Sequence, residues 1–296
     1  MGGRQNAQRA SQVSMGGHGK CGNRKYSYLL FAGTDIVILQ GLPTVLVIFW
    51  VMWYRGGFAW REDPGKEFNY HPVLMILGFI FFMGHGMLVY RLFRCCNKTS
   101  AKILHTFLFF MAVPCIVVGA IAAFDSHNLR TPPIPNLYSL HSWLGLITMG
   151  LFGLQVTHMM VMGFFSFWLL LCCEGATAGF RGSLVPVHST FGIITFMLAI
   201  ATAVTGYTEK AFFSLSGKNG APRYADLPEE AFIVNAQAMI LGALAMLMGY
   251  LLLYPYYQRS PPIPVAIMDP PSHYVMTHKY YDQSNGRRHH NSYQPE

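Results

Sequence analysis

The chain has 296 residues, 52% of them hydrophobic and only 11% charged, with a formal net charge of +8. A soluble domain carries about 25% charged residues, so the composition excludes an ordinary soluble fold and points to the membrane. The positive charge sits largely in flanks and tails, and it calls for no nucleic-acid partner.

Residues 1–25 are polar, Gly-rich and basic, without the early apolar stretch of a cleavable signal peptide. They read as a disordered tail. Six apolar segments follow, each long enough to cross a hydrocarbon core, which takes roughly 20 residues. They are Tyr28–Tyr54, His71–Tyr90, Ile103–Phe124, Ser139–Met162, Val185–Tyr207 and Phe232–Tyr254, and the fourth continues apolar toward Leu171. The connections are short, so residues 26–258 are expected to form one all-α, six-helix transmembrane bundle. Residues 259–296, rich in Pro, His and polar side chains, read as a second disordered tail.

Lys and Arg in the short flanks set the orientation. One side holds Arg4, Arg9, Lys20, Arg24 and Lys25, then Arg91, Arg94, Lys98 and Lys102, then Arg181. The other side balances its charges. Residues 55–70 hold three basic and three acidic side chains, 125–138 one of each, and 208–231 three basic and four acidic. The first side is therefore cytoplasmic, and an even helix count puts both termini there. Cys21, Cys95, Cys96, Cys172 and Cys173 fall on that side and Cys115 within the third segment, so no structural disulfide is expected. The two Cys-Cys pairs suit S-acylation or are ordinary reduced thiols.

Six histidines lie within the segments: His71, His85, His105, His141, His158 and His188. An ionisable group at bilayer depth is costly and raises a functional hypothesis, against the plainer alternative of an interhelical hydrogen bond. His71 and His141 start two helices that run inward from the outer face, so they share an outer depth. His105 and His188 start two helices that run outward, so they share an inner depth. Bis-histidine ligation of haem iron needs two imidazoles at equal depth, facing each other across the porphyrin, and a four-helix core supplies them. Zinc usually asks for more ligands, often Cys or carboxylate, and Asp35 is the sole acid deep within a segment. A rival pairing stacks His71 with His85, 85 − 71 = 14 residues apart and on one helical face. Its partner pair on the fourth helix, His141 and His158, is 17 apart and rotated roughly 100° out of line. That rival also leaves His105 and His188 without a role.

The stretches "YRGGFAW" (54–60), "FNYHPVLM" (68–75), "YR" (90–91), "KILH" (102–105), "NLYSLHSWLG" (136–145), "VPVHSTFG" (185–192), "TGYTEK" (205–210) and "LPEEAFIVN" (227–235) follow in order along the core. Over about residues 28–258 the chain resembles the cytochrome b561 family of ascorbate-dependent transmembrane electron carriers. "YRGGFAW" looks most like its animal branch. The resemblance implies six helices and two b-type haems in a four-helix di-haem core. The outer haem would take His71 and His141, and the inner haem His105 and His188. His85 and His158 match no ligand position. Arg91 resembles an arginine near the inner haem propionates. Asn136, Leu137, Tyr138 and Ser139 match the stretch that wraps the outer haem, and Glu209 a glutamate beside it.

The resemblance also implies cytoplasmic ascorbate as electron donor. Lys98 and Lys102 lie seven and three residues before His105, and Arg181 seven before His188, so the three cations share a register beneath the inner haem. His127 and Asn128, in an outer loop, resemble a pair that faces the electron acceptor, monodehydroascorbate or ferric iron. Relatives are often homodimers, and the animal branch includes plasma-membrane, secretory-vesicle and endolysosomal members. The expected activity is that of a transmembrane oxidoreductase embedded in lipid. The competing reading, a histidine-lined metal or proton transporter, predicts deep acidic ligands or internal repeats with broken segments, and neither is visible.

Overall fold

A computed structural model describes residues 23–93, 98–170, 178–218 and 220–253. Residues 1–22, residues 259–296 and the two Cys-Cys pairs lie outside the described residues, whereas Asn23, Arg24 and Lys25, expected in the N-terminal tail, belong to the first helix. Helix α1 runs Asn23–Tyr54. A short α2, Pro64–Glu67, follows, then α3, Tyr70–Met75, a π-helical segment, Ile76–Met83, and α4, Gly84–Leu92. The remaining helices are α5 (Lys98–Asn128), α6 (Leu140–Leu170), α7 (Ala178–Ser214) and α8 (Glu229–Leu253). No β-strand occurs among the described residues, which hold only an isolated bridge between Ser216 and Arg223.

Five stretches are long and apolar enough to cross a membrane: Pro64–Leu92, Thr99–Asn128, Leu140–Met162, Gly182–Ser214 and Glu229–Leu253. The described apolar part of α1 is the shorter Ile38–Tyr54, but the helix itself has 32 residues, about 48 Å at 1.5 Å per residue. The chain is an all-α, multi-pass membrane protein. Its helices overrun the sequence-derived segments at the ends. The third segment extends to Asn128, so His127 and Asn128 close a helix rather than sit in a loop. The fifth begins at Ala178, which puts Pro186 inside the helix. Hydropathy marks only the stretch that meets lipid, whereas the backbone ladder continues into the headgroup layer wherever side chains permit it.

The burial pattern also fits a membrane. Trp50, Ile80, Met83, Leu88, Phe196, Leu241, Leu244 and Met248 form a fully buried seam. Equally apolar side chains such as Ile103, Phe107, Phe110, Leu154, Met239 and Met246 point outward, where lipid replaces water. Helix association in lipid relies on close packing rather than on a hydrophobic drive. At Gly78 an added Cβ would come 2.8 Å from Ile116 and 3.3 Å from the Ala112 carbonyl, so α5 lies directly on the π-helical segment.

Polar clasps close the end of the bundle that carries Glu230. Trp50 Nε1 donates to Glu230 Oε1 at 2.8 Å, and Arg55 binds the other carboxylate oxygen, tying α1 to α8. Tyr207 donates its hydroxyl to Gln237 Oε1 at 2.7 Å, tying α7 to α8. Asp63 caps α2 by accepting from the backbone N–H groups of Gly65 and Lys66. Pro64 follows at the first helical position, where its missing N–H costs nothing.

Candidate haem sites

The pair expected at the outer side comes from α3 and α6. His71 and His141 have ring centres 5.9 Å apart and planes at 83°. His71 Nδ1 lies 3.0 Å from the Gly119 carbonyl of α5, and His141 Nδ1 lies 2.9 Å from the Thr202 carbonyl of α7. A carbonyl oxygen only accepts, so each Nδ1 carries the proton and each Nε2 keeps its lone pair. Gly206 makes the space for one of these rings. A Cβ there would lie 2.6 Å from His141 Cε1 and 2.8 Å from its Nδ1. On the other ring, Phe68 packs at 5.6 Å from His71, and Lys210 Nζ sits 4.3 Å above the Phe68 ring.

The pair expected at the inner side comes from α5 and α7. His105 and His188 have ring centres 6.1 Å apart and planes at 79°. His105 Nδ1 lies 2.9 Å from the Gly86 carbonyl of α4, and its ring is flanked by Phe109 at 4.7 Å and Tyr90 at 5.4 Å. His188 differs, because its Nδ1 is buried with no hydrogen-bond partner. The Gln155 side chain of α6 donates to the backbone carbonyl of His188 at 3.3 Å.

Both pairs fit a haem iron. The separations leave room for two metal–nitrogen bonds of about 2 Å plus half a ring on each side. Three of the four Nδ1 atoms are held by carbonyls, the usual support of a ligating histidine. Among the described residues no group of three His, Cys, Asp or Glu side chains gathers as a non-haem site would need. An apolar groove of about 500 Å³ opens between α5 and α6, lined by Ile116, Ala120, Met149, Phe152 and Gly153.

His85 belongs to neither pair. A π turn closes i→i+5 and winds the chain less per residue than an α turn. The eight-residue segment Ile76–Met83 therefore turns His85 off the face that α-helical counting gives it. Its Nδ1 lies 2.7 Å from the Phe81 carbonyl, at the π-to-α junction, and its ring packs on Phe81 at 4.4 Å. His158 is exposed on α6.

The structure brings several flanking residues together. His127 Nδ1 lies 3.1 Å from Asn136 Oδ1, and Asn136 Nδ2 donates to Asn128 Oδ1 at 2.8 Å, so the end of α5 is laced to the strap before α6. In that strap Leu137 has a positive φ of 56°, and Tyr138 is exposed. Ser139 and Ser142 exchange bonds that cap α6, with Ser139 Oγ 3.2 Å from the Ser142 nitrogen and Ser142 Oγ 3.1 Å from the Ser139 nitrogen. Glu209 is half-buried on α7, three residues beyond Gly206. Arg91 reaches the Leu252 carbonyl and so ties α4 to the last turn of α8. Lys102 is exposed on α5. Lys98 opens α5 and Arg181 falls in the first turn of α7, so both belong to the helices that carry His105 and His188. Their side chains lie outside the described residues.

Sequence reasoning assigned nothing to Phe68, Gln155, Gly206 or Lys210. Lys210 carried a readable signal, a cation just past an apolar segment. The others act through contacts that no spacing rule encodes.

Fold and facing imidazoles define the class: a multi-pass membrane protein with two interhelical histidine pairs suited to iron. The sequence model of eukaryotic cytochrome b561 matches residues 70–214, a range that contains all four paired histidines. The chain is 41% identical over 227 residues to the human lysosomal membrane ascorbate-dependent ferrireductase CYB561A3, an alignment covering 76% of this chain and 88% of that protein. It is 36% identical over 246 residues to the plasma membrane ascorbate-dependent reductase CYBRD1 of Xenopus tropicalis, covering 82% and 81%. It is 37% identical over 180 residues to a putative transmembrane ascorbate-dependent reductase of Caenorhabditis elegans, covering 59% and 65%. The chain belongs to the cytochrome b561 family.

Proposed function

We propose that this protein is a transmembrane oxidoreductase that moves single electrons from cytoplasmic ascorbate, through two b-type haems, to monodehydroascorbate or ferric iron on the outer or lumenal face. The observation that carries this reading is the shared chemistry of the two pairs. Each has two imidazoles about 6 Å apart, and three of the four have Nδ1–H engaged by a carbonyl, which leaves Nε2 for iron. The names of the relatives supply the donor and the acceptor class.

His71 and His141 hold the outer haem, and His105 and His188 the inner. Haem iron supplies the one-electron couple. The chain's own residues set access and charge. Lys98, Lys102 and Arg181 gather cationic charge where the ascorbate anion approaches the inner haem, and Arg91 lies at the same end of the bundle. At the outer end Asn136, Leu137, Tyr138, Ser139 and Glu209 border the His71–His141 haem, and His127 with Asn128 receives the acceptor. His127 fits that role because its Nδ1–H is spent on Asn136, leaving Nε2 as an acceptor atom. Residues 26–258 form the membrane domain, with both termini cytoplasmic as the charge balance requires.

The test is the protein in sealed vesicles with ascorbate inside and a ferric chelate outside. Ferrous iron is expected to appear outside only when ascorbate is inside, with b-type absorption bands cycling during turnover. A colourless protein, or reduction independent of internal ascorbate, would overturn the reading.

A further inference from the structure

The carbonyls that hold three of the four paired histidines follow a spacing pattern. On three of the four helices the acceptor lies 14 or 15 residues beyond the histidine that the same helix carries. His105 of α5 is followed at 119 − 105 = 14 by Gly119, whose carbonyl holds His71. His188 of α7 is followed at 202 − 188 = 14 by Thr202, whose carbonyl holds His141. His71 is followed at 86 − 71 = 15 by Gly86, whose carbonyl holds His105. The extra residue falls across the π-helical segment Ile76–Met83, where a turn takes in one residue more. Three helices thus lend a carbonyl acceptor to a neighbour's histidine, each about four turns from the histidine that it carries itself.

The pattern leaves one position to fill. On α6, counting 14 from His141 arrives at Gln155. That residue already touches His188 through the 3.3 Å bond from its Nε2 to the His188 carbonyl. His188 is also the one paired histidine whose buried Nδ1 lacks a partner. A buried donor left unsatisfied costs on the order of 1–3 kcal/mol. Gln155 carries a second amide atom, Oε1, to accept from it. At the matching positions on the other helices the backbone carbonyl serves. Here the side chain is the polar group that the structure brings to the histidine.

We infer that Gln155 is the positioning residue of the inner haem. With the inner haem in place its amide would span His188, Nε2 keeping its bond to the carbonyl and Oε1 turning to accept from the Nδ1–H that is otherwise without a partner, so that it sets the tilt and basicity of that ligand. A hydrogen bond accepted from Nδ1–H makes an imidazole a stronger donor to iron and favours the ferric state. Weakening it raises the reduction potential of the inner haem alone, and strengthening it lowers that potential.

This inference rests on His105 and His188 being inner-haem ligands, and one experiment separates the two claims. The purified full-length protein, Gln155→Leu and Gln155→Glu are titrated spectroelectrochemically, with low-temperature EPR of the ferric haems. In the Leu variant the inner-haem potential is expected to rise by about tenfold in the ferric/ferrous equilibrium, about 59 mV for a one-electron couple. In the Glu variant it is expected to fall. The outer-haem potential stays fixed in both. Loss of the inner haem from the Leu variant with retention in the Glu variant also supports the assignment. Unchanged inner-haem potential and EPR signal in the Leu variant overturn it, as do equal shifts of the same sign in both variants or loss of the inner haem from both. A wild-type protein with no haem at His105 and His188 overturns the parent reading instead.

Discussion

The outer and inner histidine pairs are built from the same residue type at nearly the same separation, yet their surroundings differ. Both outer imidazoles are held by backbone carbonyls, from Gly119 and Thr202. A glycine backs His141, and Lys210 stands over the aromatic ring beside His71. The inner pair has one carbonyl-held member, His105, wedged between aromatic rings, and one, His188, whose buried Nδ1 has no partner and whose backbone carbonyl accepts from Gln155 of α6. The lesson is that equal ligands do not make equal sites. Both rings of the outer pair are held by backbone carbonyls, which side-chain substitution does not remove, whereas at His188 no carbonyl holds the ring.

The largest effect that could break this comparison is loss of a haem. His71→Ala and His141→Ala are each expected to abolish the same haem, and His105→Ala and His188→Ala the other, read by haem-to-protein ratio and EPR. A variant of one pair that empties the other would end the two-site scheme. Next comes the steric test of the outer site. Gly206→Ala places a Cβ against the His141 ring and should displace it, lowering outer-haem occupancy severalfold while the inner haem stays. Normal outer occupancy would show that the ring has another place to go.

Two charge tests sharpen the contrast. Lys102→Gln with Arg181→Gln removes two cations from the inner approach and should raise the ascorbate needed for half-reduction severalfold, an effect that weakens in high salt. An unchanged ascorbate titration would remove these residues from the donor site. Lys210→Gln deletes a partly buried positive charge near His71. A nearby cation favours the reduced, less positive haem, so the outer potential should fall by a few-fold in equilibrium constant and the inner should not move. The smallest effect belongs to His85→Leu. It breaks the bond to the Phe81 carbonyl and should cost about 1 kcal/mol of stability, measured by thermal unfolding, with both haems retained. Loss of a haem there would revive the stacked pairing.

Much of this protein was legible in one dimension. Low charge and six apolar runs gave the membrane and the helix count, because the hydrocarbon core imposes both length and composition. Depth alone paired His71 with His141 and His105 with His188, since parallel helices of similar length bring residues near their starts to one level. The pair His127 and Asn128 was legible as residues but not as structure. His127 and Asn128 are the last residues of α5, laced to Asn136 across the strap, and polar residues at a helix end resemble loop residues in composition.

The sequence by itself determined the class of protein, its span count and the identity of the paired histidines, all of which follow from residue type and distance along the chain. Tertiary structure alone decided which nitrogen is held in three of the four paired rings and what holds it. Those partners are backbone carbonyls, which every residue carries alike, so only the approach of one helix to another selects them. It also decided the fate of His85. Fourteen residues from His71 place it on the same face of an ideal α-helix, and the π-helical segment between them turns it away.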